Sequence, residues 1–428
     1  MWKVFLFLLL ALIPGRGLSS QDRAELDKQI SQALDKSRPL LLDRLPDLQQ
    51  GRLALACHAL LNDGVTMREP RFAEALQRLA KARLAQCYAL SLRLMVIQEL
   101  RDYPHRLQAA KEDCARLLRH QARSGGFTYT AGGRNADMSN TQYAALGLRA
   151  AASLRVPISS KRWSRLAAYA LRRQQREGGV VYSKKSRGVR ASMVVALIAI
   201  LEICKPNLAS KSTLRRKSEN AIQAAWRWME KNSSSIGKGR AESMNNYYYH
   251  YGLERAAVLS GVFDVGKVDW YRAGAEMMLR QQASGGGWGG IHIQRSEPDP
   301  AATGPVIDGI QTSFAILFLR RRFQRSLGTV VTSGKYIRPL YLPEKATAQQ
   351  ISASAKGAVA RGYKAVPELI KALRSSYLSR RRAGALALIQ ITGRFEDLSP
   401  YVRPENNAEA LHDIEAWWMR EGRKKLHR

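Results

Sequence analysis

Residues Trp270 to Trp288 read WYRAGAEMMLRQQASGGGW, and the same construction stands twice upstream, as WSRLAAYALRRQQREGG from Trp163 and AKEDCARLLRHQARSGGF from Ala110. In each copy a glutamine (Gln121, Gln174, Gln281) lies four residues before a glycine pair that begins at Gly125, Gly178 or Gly285. Upstream of the glutamines, apolar or small residues recur at helical spacing: Trp163, Leu166, Ala167, Ala170 and Leu171, then Trp270, Ala273, Gly274, Met277 and Met278. Each copy is therefore the buried stripe of an amphipathic helix, stopped by glycines able to take the left-handed cap conformation.

After each glycine pair a polar loop leads to a second, more apolar helix. With Thr141, Ser192, Tyr248 and Thr312 in register the segments are TQYAALGLRA, SMVVALIAIL, YYHYGLERAA and TSFAILFLRR, and Leu146, Leu197, Leu253 and Leu317 coincide. The unit is a helix pair repeated at a period of roughly fifty residues, the mark of an array or a closed ring. Two degenerate pairs precede these copies. Asp22 to Lys36 is followed by the apolar Leu53 to Leu61, and Arg71 to Lys81 by Tyr88 to Ile97. With the pairs at 105–151, 161–204, 215–259 and 267–325 they make six. Six amphipathic helices outside and six apolar helices inside close a ring, because each inner helix is then covered on all sides.

The stretch QASGGGW, Gln282 to Trp288, resembles the QW-type repeat of terpenoid cyclases, the prenyltransferase and squalene oxidase repeat. Together with the TSFAILFL-type helices it makes about residues 45–325 similar to exported bacterial members of that α/α-toroid superfamily. The resemblance implies a toroid of six hairpins, in agreement with the count from periodicity. The plain role for the motif is architectural, the glutamine amide and the aromatic locking one hairpin to the next.

The family's known activities meet missing residues. Triterpene cyclisation as the family performs it needs a DxDD acid motif, and the nearest acidic cluster is Glu297-Pro298-Asp299 in a Pro-rich loop. Protein prenylation needs zinc on a D-x-C pair, and the related secreted toroids carry a GCGEQ-like thioester. None of the three motifs is present. No metal or cofactor is expected.

The rest of the chain frames the ring. Lys3 followed by apolar Val4 to Ile13 has the form of a signal peptide over residues 1–20, or of a retained N-terminal anchor, so the protein is expected outside the cytoplasm. Lys and Arg number 69 against 35 Asp and Glu, a formal charge of +34. Such a field attracts acidic glycans or anionic lipids; the bland alternative is a solubilising surface, since the basic residues are spread along the whole chain. Nucleic acid is set aside, because no basic cluster is interleaved with aromatics. Cys57, Cys87, Cys114 and Cys204 lack zinc spacing; Cys57 with Cys87 is the disulfide candidate, small core residues the other reading. Residues 326–346 look like an extended linker. A HEAT-like helical tail follows over 347–428, with one helix pair across Ala365 to Arg394 and a closing helix Ala408 to Arg420, a surface for a protein partner or a cap.

In such a ring the mouth is lined by the loops after the glycine pairs and the first turns of the inner helices. Asp137, Asn140, Gln142, Tyr143, Arg190, Tyr248, Tyr249, His250, Glu254, Trp288, Asp308 and Gln311 are the candidates for lining it. Asp137 and Asp308 also suit helix N-termini. The run Tyr247 to Tyr251 suits an isoprenoid, sugar stacking, or simple filling of the ring. The main expectation is a binding or scaffold module for an anionic or apolar envelope ligand. The alternative is an enzyme, either an isoprenoid cyclase or a lyase or hydrolase of an acidic polysaccharide, with His250 as base and Tyr249 as proton donor, or Asp308 with Glu254.

Overall fold

The computed structural model describes residues 20–428 apart from 101, 187, 239–243, 263, 290–308, 321–337, 343, 345, 347, 396–407 and 426–428. The residues expected to form the signal peptide lie outside it, apart from the last of them. Among the described residues the regular structure is helical, with one two-residue hairpin, β1 (Asp264–Val265) antiparallel to β2 (Val268–Asp269), which periodicity did not signal.

Twelve helices make the ring. The outer set is α1 (Ser20–Arg44), α3 (Pro70–Lys81), α5 (Arg106–Leu118), α7 (Ser160–Leu171), α9 (Thr213–Lys231) and α11 (Trp270–Gln281). The inner set is α2 (Gln50–Asn62), α4 (Cys87–Glu99), α6 (Met138–Ser153), α8 (Ala191–Cys204), α10 (Met244–Ser260) and α12 (Gly309–Arg320). Each inner helix packs on the next, and α12 packs back on α2, so the ring is closed. Burial follows the sequence pattern: α8 is buried from Met193 to Cys204, whereas α7 buries one stripe, Trp163, Leu166, Ala167, Tyr169 and Ala170. A helix covered on all sides has no polar face to spare, and one facing water keeps one.

The glutamine motif is the joint between hairpins. Gln121 Nε2 donates to Gly125 O of its own turn and to Arg162 O of the next outer helix, both at 3.1 Å. Gln174 Nε2 does the same to Gly178 O at 3.4 Å and Ala221 O at 2.8 Å. In the third copy the register is one residue later than expected: Gln282, not Gln281, donates to Gly286 O and to Ala33 O of α1, both at 2.7 Å. Gly286, not Gly285, takes the left-handed conformation there (φ 88°), as Gly125 (94°) and Gly178 (95°) do in theirs. A Cβ at any of the three would run into a backbone carbonyl of the neighbouring outer helix, of Arg165, Ala224 or Lys36. Gln281 instead accepts from the Tyr247 hydroxyl at 2.9 Å. The residue after the turn is buried in all three copies, as Phe127, Val180 or Trp288. Phe127 N–H donates to Thr141 Oγ1 and Trp288 N–H to Thr312 Oγ1, each at 3.0 Å, which ties these two turns to their own inner helices.

All four cysteines are buried free thiols; Cys57 and Cys87 sit on α2 and α4 without a disulfide. Burial pushes the Cys57 thiol up to about 12, so it stays protonated and behaves as a small core residue. No helix among the described residues is long and apolar enough to cross a membrane.

The tail contains α13 (Ala348–Ala360), α14 (Val366–Leu373), α15 (Leu378–Thr392) and α16 (Ala408–Arg420), with a core of their own around Leu369, Leu388, Ile414 and Trp417. The end of the expected linker is not free: Pro339 and Leu342 are buried, Leu342 against Ile351 and Ala383 of the tail. Helix α13 lies on the C-terminal ends of the inner helices, where Lys356 Nζ donates to Leu259 O at 3.4 Å. Glu202 at that end is ion-paired to Lys205 at 2.8 Å. Burial pushes the Glu202 carboxyl up, but Lys205 and Lys356 outweigh it and hold the group below its usual range.

Candidate functional site

The loops after the first two complete glycine pairs set the rim of the ring. Phe127 bridges to Gln121 and Asp137, Val180 to Gln174 and Val181 to Val189, so both loops are braced ribbons. Each also caps the preceding inner helix: Cys87 N–H donates to Tyr129 O at 3.1 Å, and Met138 N–H to Tyr182 O at 3.0 Å. These bonds hold two tyrosines at equivalent places, the fourth residue after the first glycine in GGFTY and GGVVY. Their hydroxyls meet at 3.3 Å, with Tyr129 51% exposed. The exposed Arg134, Lys184, Lys185 and Arg190 lie on the same loops, and the Arg190 guanidinium sits 5.7 Å over the Tyr182 ring.

One turn inward, side chains from three inner helices join. The Tyr88 hydroxyl of α4 donates to Ser139 Oγ at 2.5 Å, Ser139 Oγ meets the Tyr248 hydroxyl at 2.6 Å, and that hydroxyl donates to Gln142 Oε1 at 3.0 Å. Helix α8 separates α6 from α10 around the ring, so the Ser139–Tyr248 contact passes through the interior. The rings follow the hydroxyls. Tyr143 stands 4.7 Å from Tyr88 and is stacked on Tyr248 at 6.2 Å, and Phe314 of α12 lies 6.0 Å from Tyr248 and 5.3 Å from Tyr251. Gln311, one turn before Phe314 on α12, is buried with Oε1 unbonded.

Asp137 is the carboxyl of this region. It is the N-cap of α6, accepting from Asn140 N and Nδ2 at 2.8 Å each, and it is 5% exposed. Burial raises its pKa against the pull of these bonds and of one from Tyr182. A buried carboxyl whose pKa is shifted upward is a candidate for proton transfer.

Asp137, Asn140, Gln142, Tyr143, Tyr248 and Gln311 therefore lie at the N-terminal ends of the inner helices, with Arg190 on the loop before α8. Four other candidates are engaged elsewhere. Trp288 is fully buried in the wall, donating from Nε1 to Met278 O at 2.8 Å. His250 faces the outer layer: its Nδ1 bonds Asn246 O at 2.9 Å, its Nε2 accepts from Gly237 N–H at 3.3 Å, and its ring packs edge-on against Phe318. Burial pushes the imidazole down to about 4. It is a neutral packing residue with both nitrogens engaged, and Tyr249, 5.0 Å away, turns to the same wall; the pair is not a base and proton donor for the ring. Glu254 is ion-paired to Arg255 at 2.6 Å, both buried, and its expected partner Asp308 lies outside the described residues.

Sequence reasoning did not single out Tyr88, Tyr129, Ser139, Tyr182, Arg255 or Phe314, and took Tyr251 only as part of the run Tyr247 to Tyr251. The repeated glycine-to-tyrosine spacing was the available signal for Tyr129 and Tyr182. Among the described residues no group of three or more His, Cys, Asp or Glu is placed to hold a metal ion.

No protein-family model matches the chain, and no curated protein matches it. Among solved structures, the crystal structure of a possible member of the GH105 family from Salmonella enterica subsp. enterica serovar Paratyphi A is similar over 75% of this chain and 98% of that one. The identity is 11% and the TM-score 0.46, a likeness that bears on neither ligand nor activity.

Proposed function

We propose that the ring mouth binds an acidic polysaccharide. The observation that carries the reading is the chain of hydroxyls Tyr88–Ser139–Tyr248–Gln142, bordered by aromatic faces and set beneath a basic rim. Sugar rings offer an apolar face for stacking and hydroxyls that both donate and accept, which matches tyrosine, serine and glutamine side by side. Arg134, Lys184, Lys185 and Arg190 give carboxylates a favourable field at entry. The toroid without the acid motif gives no support to cyclisation of an isoprenoid. Export, expected from residues 1–20, belongs to this proposal, as does a role for the tail in contacting a protein partner.

A catalytic form of the reading rests on Asp137, a buried carboxyl at the N-terminus of α6 on the same end of the ring, which burial shifts toward the protonated form. It would make Asp137 a proton donor in cleavage of the bound polymer.

The test is calorimetric titration with oligosaccharides of galacturonate, glucuronate and mannuronate at low and high salt, followed by mass spectrometry of the mixture. Binding that weakens about tenfold or more in Tyr248→Ala supports the mouth as the site. Cleavage abolished by Asp137→Asn makes the protein an enzyme, and intact oligosaccharide leaves it a binding module. Absence of binding to every acidic sugar removes the proposal.

A further inference from the structure

Seven residues beyond Tyr248 on α10, about 10 Å further along the ring axis, stands Arg255, 2% exposed. Glu254 Oε2 holds its guanidinium through Nε at 2.9 Å and Nη2 at 2.6 Å, and the guanidinium carbon lies 4.6 Å over the Tyr251 ring. Its field acts on His58 of α2 and on Tyr143 and Arg149 of α6, and Glu99 of α4 acts on it in turn. Helices α2, α4 and α6 can reach one residue of α10 in this way only across the middle of the ring.

Three polar atoms around Arg255 make no hydrogen bond: His58 Nε2, Tyr143 OH and Tyr251 OH. Each residue is 1% exposed. Leaving such a group unpaired costs about 1–3 kcal/mol, so the two phenols on this layer call for a shared explanation. Asn62 Nδ2 places its two hydrogens on His58 O at 2.8 Å and Glu99 Oε2 at 2.7 Å, and Glu99 Oε1 lies 3.6 Å from His58 Nδ1, which favours the tautomer with the proton on Nδ1 and leaves Nε2 an acceptor. The layer then presents two phenolic donors, from α6 and α10, and a cation. Arg149 is pushed down to about 10 by burial and then by the neighbouring Arg255, so two guanidiniums bear on each other there. Glu254 and Glu99 balance them in charge without bonding the phenols or His58 Nε2.

We propose that this layer is a carboxylate subsite, in which Tyr143 and Tyr251 donate hydrogen bonds to a carboxylate held in the field of Arg255. A carboxylate accepts several bonds at once and cannot donate when ionised, which suits a set of donors; a sugar hydroxyl brings its own proton and no charge. The subsite rests on the acidic-polysaccharide reading and deepens it, assigning the recognised group to the uronic carboxyl at the inner end of the bound chain. Tyr143 connects the two layers, its ring in the stack at the mouth and its hydroxyl in the donor set.

The experiment compares the tightest-binding uronic oligosaccharide of the panel with its carboxyl-reduced, neutral counterpart on the full chain, in about 0.5 M NaCl so that rim pairs are screened. The wild type is expected to prefer the acid at least about tenfold. In Tyr143→Phe/Tyr251→Phe the ratio is expected to fall to near one, and the unliganded variant to melt no lower than the wild type, because neither hydroxyl has a bond to lose. Equal binding of the two oligosaccharides by the wild type overturns the subsite while leaving the polysaccharide reading intact. A ratio that survives in the double variant overturns it too, as does a melting temperature several degrees lower, which would show the hydroxyls to be bonded within the protein. Binding of neither oligosaccharide removes both readings together.

Discussion

Replacing Gly286 by alanine places a methyl group at the seam where the last hairpin meets the first. Its Cβ would lie 2.6 Å from the carbonyl oxygen of Lys36 and 2.9 Å from the carbonyl carbon. The obstacle is backbone, so helix α1 must retreat. An L-residue at φ 88° loses roughly 1–2 kcal/mol relative to glycine. The retreat stretches the 2.7 Å bond from Gln282 Nε2 to Ala33 O, worth about 1 kcal/mol and more if the carbonyl is left buried and unpaired. Together these put Gly286→Ala at about 3 kcal/mol of destabilisation. Gly285→Ala is the control, because Gly285 is exposed and has a φ open to any residue; its effect should stay within about 0.5 kcal/mol. Urea unfolding followed by tryptophan fluorescence reads both, with Trp288 two residues from the substituted position. If Gly286→Ala unfolds with the wild type, or Gly285→Ala is the more damaging, the joint at the seam has been misassigned.

Other consequences follow from named contacts. Arg93 grips Asp113 through Nε and Nη2 at 2.6 Å each, both side chains buried, so Arg93→Met strands a carboxylate and should cost about 3–5 kcal/mol, while Arg93→Met/Asp113→Leu should recover most of it in denaturant titrations. The raised pKa of Asp137 means that the folded state binds its proton more tightly than the unfolded chain. Its contribution to stability is then full below the unfolded pKa and lost as pH rises through the folded one. The unfolding midpoint of the wild type relative to Asp137→Asn should therefore fall from acid to neutral pH, and a difference that rises instead would place the carboxylate among stronger donors than Asn140 and Tyr182. His250→Ala should cost about 2–3 kcal/mol in stability through lost packing on Phe318 and the lost Gly237 bond, with uronic oligosaccharide affinity changed less than twofold by calorimetry.

The ring was legible because two independent signals coincide, a helical period in each segment and a glutamine-to-glycine spacing between segments. The first fixed α3, α4 and α16 to within a residue or two. The second misplaced the third joint by one, for a reason visible in the letters. QQASGGGW offers Gln281 with Gly285 and Gln282 with Gly286 at the same separation, and only the distance from glycine to the buried Phe127, Val180 or Trp288 tells them apart. The run Tyr247 to Tyr251 failed differently. Five consecutive residues on a helix turn through every direction, so they cannot share one face. Tyr248 and Tyr251 look inward, while Tyr247, Tyr249 and His250 pack outward, a division set by the orientation of α10. The layer around Arg255 left no local signature at all, since His58, Glu99, Tyr143 and Arg255 are brought together by ring closure alone.

The bond from Gln282 to Ala33 joins residues 249 apart. Every other joint of the ring links neighbouring hairpins and can form as soon as both exist. At about 5–20 residues per second, ribosomal synthesis separates the two halves of this one by roughly 10 to 50 seconds. Over that interval the stripe of α1 that carries Ile30, Leu34 and Leu41, buried in the finished ring, has no last hairpin to meet. The order of synthesis thus makes the first helix the last to be fully enclosed, and the newborn chain carries a sticky leading edge for most of its time on the ribosome.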